Sequence, residues 1–245
     1  MLSEASPDPG IPVDTWELRA FPGEIGILRR DVCGRVLRFS CAGEPILARV
    51  RRGGNLGYGD RDSGGGTVRR WIRESPEGFL FTVVAPKSVS ESKFRRTKEN
   101  KATCEAVAKL AKDLKAKAVV FSADETFKHG KANRSALRSF LGFLPASMPP
   151  VVFDLEAWKP SDIIVACGDR PAIAAYDPLN DEPPPEAPMI YIRLPGPAGH
   201  RSRYDETAIA MIADHCNELD PELGICVFRN IDMQTNAHQL IKKLT

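Results

Sequence analysis

The chain has 245 residues, with 34 Lys plus Arg against 32 Asp plus Glu and a formal net charge of +2. No run approaches the ~20 consecutive apolar residues that a membrane-crossing helix needs, and the start MLSEASPDPG lacks the basic and apolar regions of a signal peptide, so a soluble, cytoplasmic protein with no membrane contact is expected. Cys33, Cys41, Cys104, Cys167, Cys216 and Cys226 are scattered without CxxC or zinc-finger spacing, which implies reduced thiols and no recognisable metal site.

In chain order, residues 1–12 read as a leader and 13–66 as a β-rich segment. Within that segment Glu24–Leu28, Arg35–Cys41 and Ile46–Val50 are short apolar stretches split by the turn-like DVCG and AGEP. The gaps are too short for crossover helices, so these stretches form an antiparallel meander or one barrel strand with decorated flanks. Arg51–Gly66 is rich in Gly and charge and reads as a loop; it lacks the GxxxxGK followed by Ser or Thr that cradles phosphates.

Charge is unevenly placed. From Arg19 to Arg73 there are twelve Arg and no Lys against five acids, whereas Val151–Thr245 carries fifteen acids against eight Lys plus Arg. Such asymmetry is either the basic face of an ordinary protein or a surface for nucleic acid or a protein partner, offered through Arg49, Arg51, Arg52, Arg69 and Arg70. Tyr58 is the sole aromatic within Arg51–Gly66, which argues against base stacking.

From Thr67 the pattern is regular. Thr67–Ser75 suits a short helix, and Ser75–Gly78 a turn. Apolar runs then follow at Phe79–Lys87, Ala118–Asp124, Pro150–Glu156, Ala172–Pro178, Met189–Gly196 and Gly224–Asn230. Helical spacing fills Asn100–Lys117 (through Ala102, Val107, Leu110 and Leu114), Asn133–Leu144, Asp205–Leu219 and Asn236–Leu244. Strands buried on both faces read as continuous rather than alternating apolar runs, so the expected class is α/β, with a parallel sheet closed into a TIM-type (β/α) barrel.

Each apolar run ends in polar or charged residues, and barrel sites are built where strands end. Lys87, Asp124, Asp154, Glu156, Asp177, Arg193 and Asn230 are thus the candidate rim residues. Asp154 and Glu156, two apart on one strand, point the same way and suit acid–base work or oxygen ligation of a divalent ion. Arg193 suits bidentate contact with phosphate or carboxylate. The plainer readings are an Asp154–Arg193 ion pair across the rim, an Asp177–Pro178 turn, and a packing role for Trp158. His129, His200, His215 and His238 fall in loops or helices away from strand ends, so no catalytic triad is expected.

Taken in order, GFLFTVVAPKSV, AKAVVFSADETF, ALRSFLGFLP, VVFDLEAW, AAYDPL, IYIRLPG with RYDETAI, and VFRNIDMQTNAHQL resemble the YecE-like family, domain of unknown function 72. The resemblance runs from about Thr67 to Thr245 and implies a TIM-type barrel with a pocket at the strand ends and no established reaction. It implies that the family's fifth-strand acid is Asp154, its Asp-Pro is Asp177 with Pro178, its seventh-strand Tyr and Arg are Tyr191 and Arg193, and its eighth-strand Asn is Asn230. This chain has Glu156 where the family commonly has Arg, and Pro195 where it usually has His. The family's opening strands are not recognisable before Thr67, so the barrel is expected to be incomplete or remodelled at its first two strands. Two functions follow as expectations: a rim that binds a small polar, sugar-like or phosphorylated ligand and hydrolyses or isomerises it, or a non-catalytic scaffold working through the Arg-rich segment.

Overall fold

A computed structural model of the chain describes residues 40–42, 68–69, 71–73, 75, 79–185, 189–219 and 221–244. Its strands are β1 (Ser40–Ala42), β2 (Thr82–Val84), β3 (Ala118–Ala123), β4 (Val151–Leu155), β5 (Ile173–Tyr176), β6 (Met189–Leu194) and β7 (Leu223–Phe228). Its helices are α1 (Lys87–Glu91), α2 (Lys98–Asp113), α3 (Lys131–Leu141), α4 (Pro160–Cys167), α5 (Glu206–Leu219) and α6 (Met233–Lys243). All strand pairs are parallel, in the order β1-β7-β6-β5-β4-β3-β2. The six strands β2 to β7 make a curled half-barrel flanked by helices, a partial TIM-like barrel.

All six apolar runs read from the sequence became strands. Ser40–Ala42 overlaps the end of the Arg35–Cys41 stretch, runs one residue past it, and pairs parallel to β7, as a single barrel strand would. The leader, the other two stretches of the β-rich segment and the Arg51–Gly66 loop lie outside the described residues. Among the described residues, β1 and β2 are not paired with each other, and no helix is long and apolar enough to cross a membrane.

Period-two alternation splits the strands between two apolar layers. One face of the sheet gathers Ala118, Val120, Val152, Ala175, Met189, Tyr191, Ile225 and Val227. The opposite face packs on helices: Val83, Phe121 and Phe153 with α1 to α4, and Tyr176, Ile192 and Phe228 with α5 and α6. Burial on both faces is the physical reason the runs read as unbroken apolar text.

Helix boundaries follow local chemistry. Thr97 caps α2 by accepting the Asn100 N–H at 3.2 Å. The helix then buries Asn100, Cys104, Val107, Ala108 and Ala111, while Ala102, expected on the apolar face, is exposed. Pro160 opens α4, where its missing N–H costs nothing, and Gly168 ends it at φ 62°. The C-terminal carbonyls of α4 are met from α3: Arg138 Nε donates to Ala166 O at 3.1 Å and Nη2 to Val165 O at 3.0 Å. Arg138→Met should therefore lower unfolding free energy by about 1–2 kcal/mol, since it strips charged donors from two helix-end acceptors; urea denaturation measures it, and a loss under ~0.3 kcal/mol would refute the capping role.

Candidate functional site

The site begins with parity. Val152 on β4, Tyr191 on β6 and Val227 on β7 face the same layer of the sheet, so the residues two further along, Asp154, Arg193 and Arg229, emerge on that face at the C-terminal strand ends. Neighbouring strands lie ~4.8 Å apart, so β7 is on the order of 14 Å from β4 along a flat sheet. The curl brings them together. Arg193 Nη1 stands 3.2 Å from Asp154 Oδ1, and Arg229 Nη1 stands 3.0 Å from Asp154 Oδ2.

Asp154 is thus gripped from both sides by guanidinium groups. Its side chain is 2% exposed, against 16% for Arg193 and 30% for Arg229, so the cluster opens toward solvent through its arginines. Three buried atoms here, Asp154 Oδ1, Arg193 Nε and the Tyr191 hydroxyl, have no hydrogen-bond partner among the described residues; there Asp154 Oδ1 keeps only the charge contact with Arg193. A buried polar group left unpaired costs roughly 1–3 kcal/mol, which makes such a concentration of orphans unusual for a purely structural spot.

Electrostatics tie the members together. Burial raises the Tyr191 phenol above its ordinary pKa, with Arg229 opposing and Asp154 reinforcing that shift. Burial by itself would lower the Arg229 guanidinium, but the Asp154 carboxylate, Tyr191 and Glu156 outweigh it, and the net direction is upward. Glu156 is exposed just past β4, with its N–H donating to Ala123 O at 3.0 Å.

The other candidates spend their polar groups elsewhere. Asp177 is buried, but its oxygens are taken within its own turn, by the Leu179 N–H at 3.0 Å and Asn180 Nδ2 at 2.8 Å; this is the Asp-Pro turn arrangement. Asn230 falls one residue past Arg229 and so faces the helices. Its Nδ2 donates to Asn236 Oδ1 at 2.8 Å and its Oδ1 has no partner among the described residues. Asp124 and Lys87 are exposed neighbours: Thr126 hydrogen bonds hold the Asp124 carboxyl below its ordinary range, with a smaller pull from Lys87. Trp158 packs flat on Phe127 and donates to its carbonyl at 2.7 Å.

Arg229 was absent from the sequence-derived set, although the parity that orients Asp154 and Glu156 applies to it equally. His200, expected away from strand ends, hydrogen-bonds the Arg229 carbonyl through Nδ1. Of the arginines proposed for a nucleic-acid or protein partner, Arg49, Arg51, Arg52 and Arg70 lie outside the described residues; Arg69 is exposed in a helical turn.

The donor set does not suit a divalent ion. Both Asp154 oxygens face guanidinium groups, and among the described residues no three His, Cys, Asp or Glu side chains gather as metal ligands.

The family described as "Protein of unknown function DUF72" matches residues 63–245. Among solved structures, a DUF72 family protein from Thermotoga maritima is similar at 18% identity, with a TM-score of 0.58 over 76% of this chain and 81% of that one. Another, from Enterococcus faecalis, is similar at 17% identity, with a TM-score of 0.56 over 73% and 79%. At these identities the likeness concerns the fold. No curated protein matches in sequence.

Proposed function

Because the chain belongs to the DUF72 family, whose description assigns it no function, we propose from the rim's own chemistry that the protein binds a small polar ligand between the C-terminal ends of β4, β6 and β7. The observation that carries this reading is the trio of buried, unpartnered polar atoms on Asp154, Tyr191 and Arg193 beside partly exposed guanidinium groups. Oriented donors and acceptors held in a dry site recognise polar ligands at little reorganisation cost.

Binding has more support than turnover. An acid or base must exchange a proton with its substrate, whereas both Asp154 oxygens are directed at arginines, and Glu156, its expected partner, lies out in solvent. Hydrolysis or isomerisation by this pair is therefore the weaker extension, and no divalent ion enters it.

Tyr191→Phe tests the reading. Removing a hydroxyl without a partner relieves a desolvation cost, so the variant should be more stable by about 1 kcal/mol. Ligand-induced thermal shifts across a panel of polyols, sugar phosphates and carboxylates should shrink in the same variant. A variant that is less stable, and that responds to every ligand as the parent does, would sink the proposal.

A further inference from the structure

Resting on that reading, we infer that the ligand presents an oxyanion, a phosphate or carboxylate group, which the Arg193 and Arg229 guanidinium groups grip together while Asp154 positions them. The first ground is charge. Two guanidinium groups face the carboxylate of Asp154, while the other buried rim carboxylate, Asp177, has its oxygens held by the Leu179 N–H and Asn180 Nδ2 of its own turn, and Glu156 is exposed. Among the described residues both guanidinium groups are ion-paired with Asp154 alone, so two positive charges share one paired carboxylate, which favours an anion over a neutral sugar and repels a cation.

The second ground is the geometry of the guanidinium fork. Asp154 engages Nη1 of each arginine. In a planar guanidinium Nη1 lies on the side of Cδ, so Nε and Nη2 share the remaining edge, and two parallel donors there match two oxygens of a phosphate or carboxylate. On Arg193 the Nε of that edge is buried and unpartnered. The Tyr191 hydroxyl, two residues earlier on the same face of β6, is fully buried and likewise unpartnered; it adds a donor that a lone surface arginine lacks.

The third ground is what Asp154 does. A carboxylate set between two long, flexible side chains removes their rotamer freedom before the ligand arrives, which lowers the entropic cost of binding. Asp154 is then a positioning residue, and its own oxygens never need to touch the ligand.

The test uses the full chain at low salt, with inorganic phosphate, acetate and glucose titrated separately by calorimetry. Arg193→Lys keeps the charge and loses the fork, so phosphate affinity should fall about tenfold or more in it. Arg229→Gln should weaken phosphate similarly, and Tyr191→Phe by a few-fold; the latter also serves if an arginine variant fails to fold. Saturable binding of phosphate or acetate that follows this order supports the inference, and the tighter of the two identifies the anion class. Binding of glucose alone overturns it and leaves the broader rim reading standing. No binding of any probe overturns both. Phosphate binding unaffected by all three substitutions overturns the inference as well.

Discussion

Asp154→Leu should lower the unfolding free energy by about 3 kcal/mol, the low end of what the loss of one member of a buried charge cluster costs. The low end applies because the Arg193 and Arg229 side chains keep 16% and 30% of their surface in water, so stranded guanidinium groups recover some hydration. The magnitude comes from the charges left behind rather than from the contact itself. Asp154→Leu combined with Arg193→Met and Arg229→Met should accordingly recover most of the loss, because the layer beneath is already apolar, with Val152, Tyr191 and Val227 in it. Urea unfolding of the single and triple variants measures both effects. A single variant that loses less than ~1 kcal/mol, or a triple variant less stable than the single one, would mean that the cluster is not organised around Asp154.

This cluster also marks where the sequence could be read and where it could not. The strands were legible because a parallel sheet covered on both sides excludes polar residues from its length and releases them only at the ends. Asp154 and Arg193 were legible for the same reason, as the polar punctuation of VVFDLE and IYIRLPG. At the end of β7 two polar residues, Arg229 and Asn230, stand side by side, and only one can face the inner layer. Val227 faces it, so Arg229 does too, and Asn230 turns to Asn236 on α6. The signal was the period of two, and it needed a reference residue whose facing was known.

Two helices show a different limit. α4 contains IIVAC, an apolar run without the polar alternation that marks a one-sided helix, and it is eight residues long; only Pro160 at its first turn betrays it. α1 is five residues long, too short for helical spacing to register. Asp177 shows the reverse case: its chemistry was legible and its role was not, because the turn that consumes its oxygens depends on Leu179 and Asn180 folding back onto it. A strand-end carboxylate becomes available to a ligand only if its own loop leaves it unsatisfied.

Gly196→Ala should cost about 3 kcal/mol and act on the rim more than on the sheet. Gly196 follows β6 at φ 101°, a backbone conformation closed to L side chains, and a Cβ there would stand 2.4 Å from the Gly199 carbonyl oxygen and 2.6 Å from Ser202 Oγ. The first of these is backbone and cannot swing aside. The same glycine donates its N–H to the Tyr204 hydroxyl at 2.8 Å, a phenol whose pKa burial pushes up to about 12 and so keeps protonated. Ser202 in turn offers its carbonyl to Asn230 Nδ2 at 3.4 Å, and His200 reaches the Arg229 carbonyl. The loop from Gly196 to Tyr204 is therefore fastened to the end of β7, directly behind Arg229, and a methyl group at its root would loosen those fastenings together. Hydrogen exchange should show lost protection across residues 196–204 and at 229–230, with β3 and β4 unchanged, and phosphate affinity should fall with it. Protection lost evenly over the whole sheet, or not lost at all, would show that this loop does not hold the rim in place.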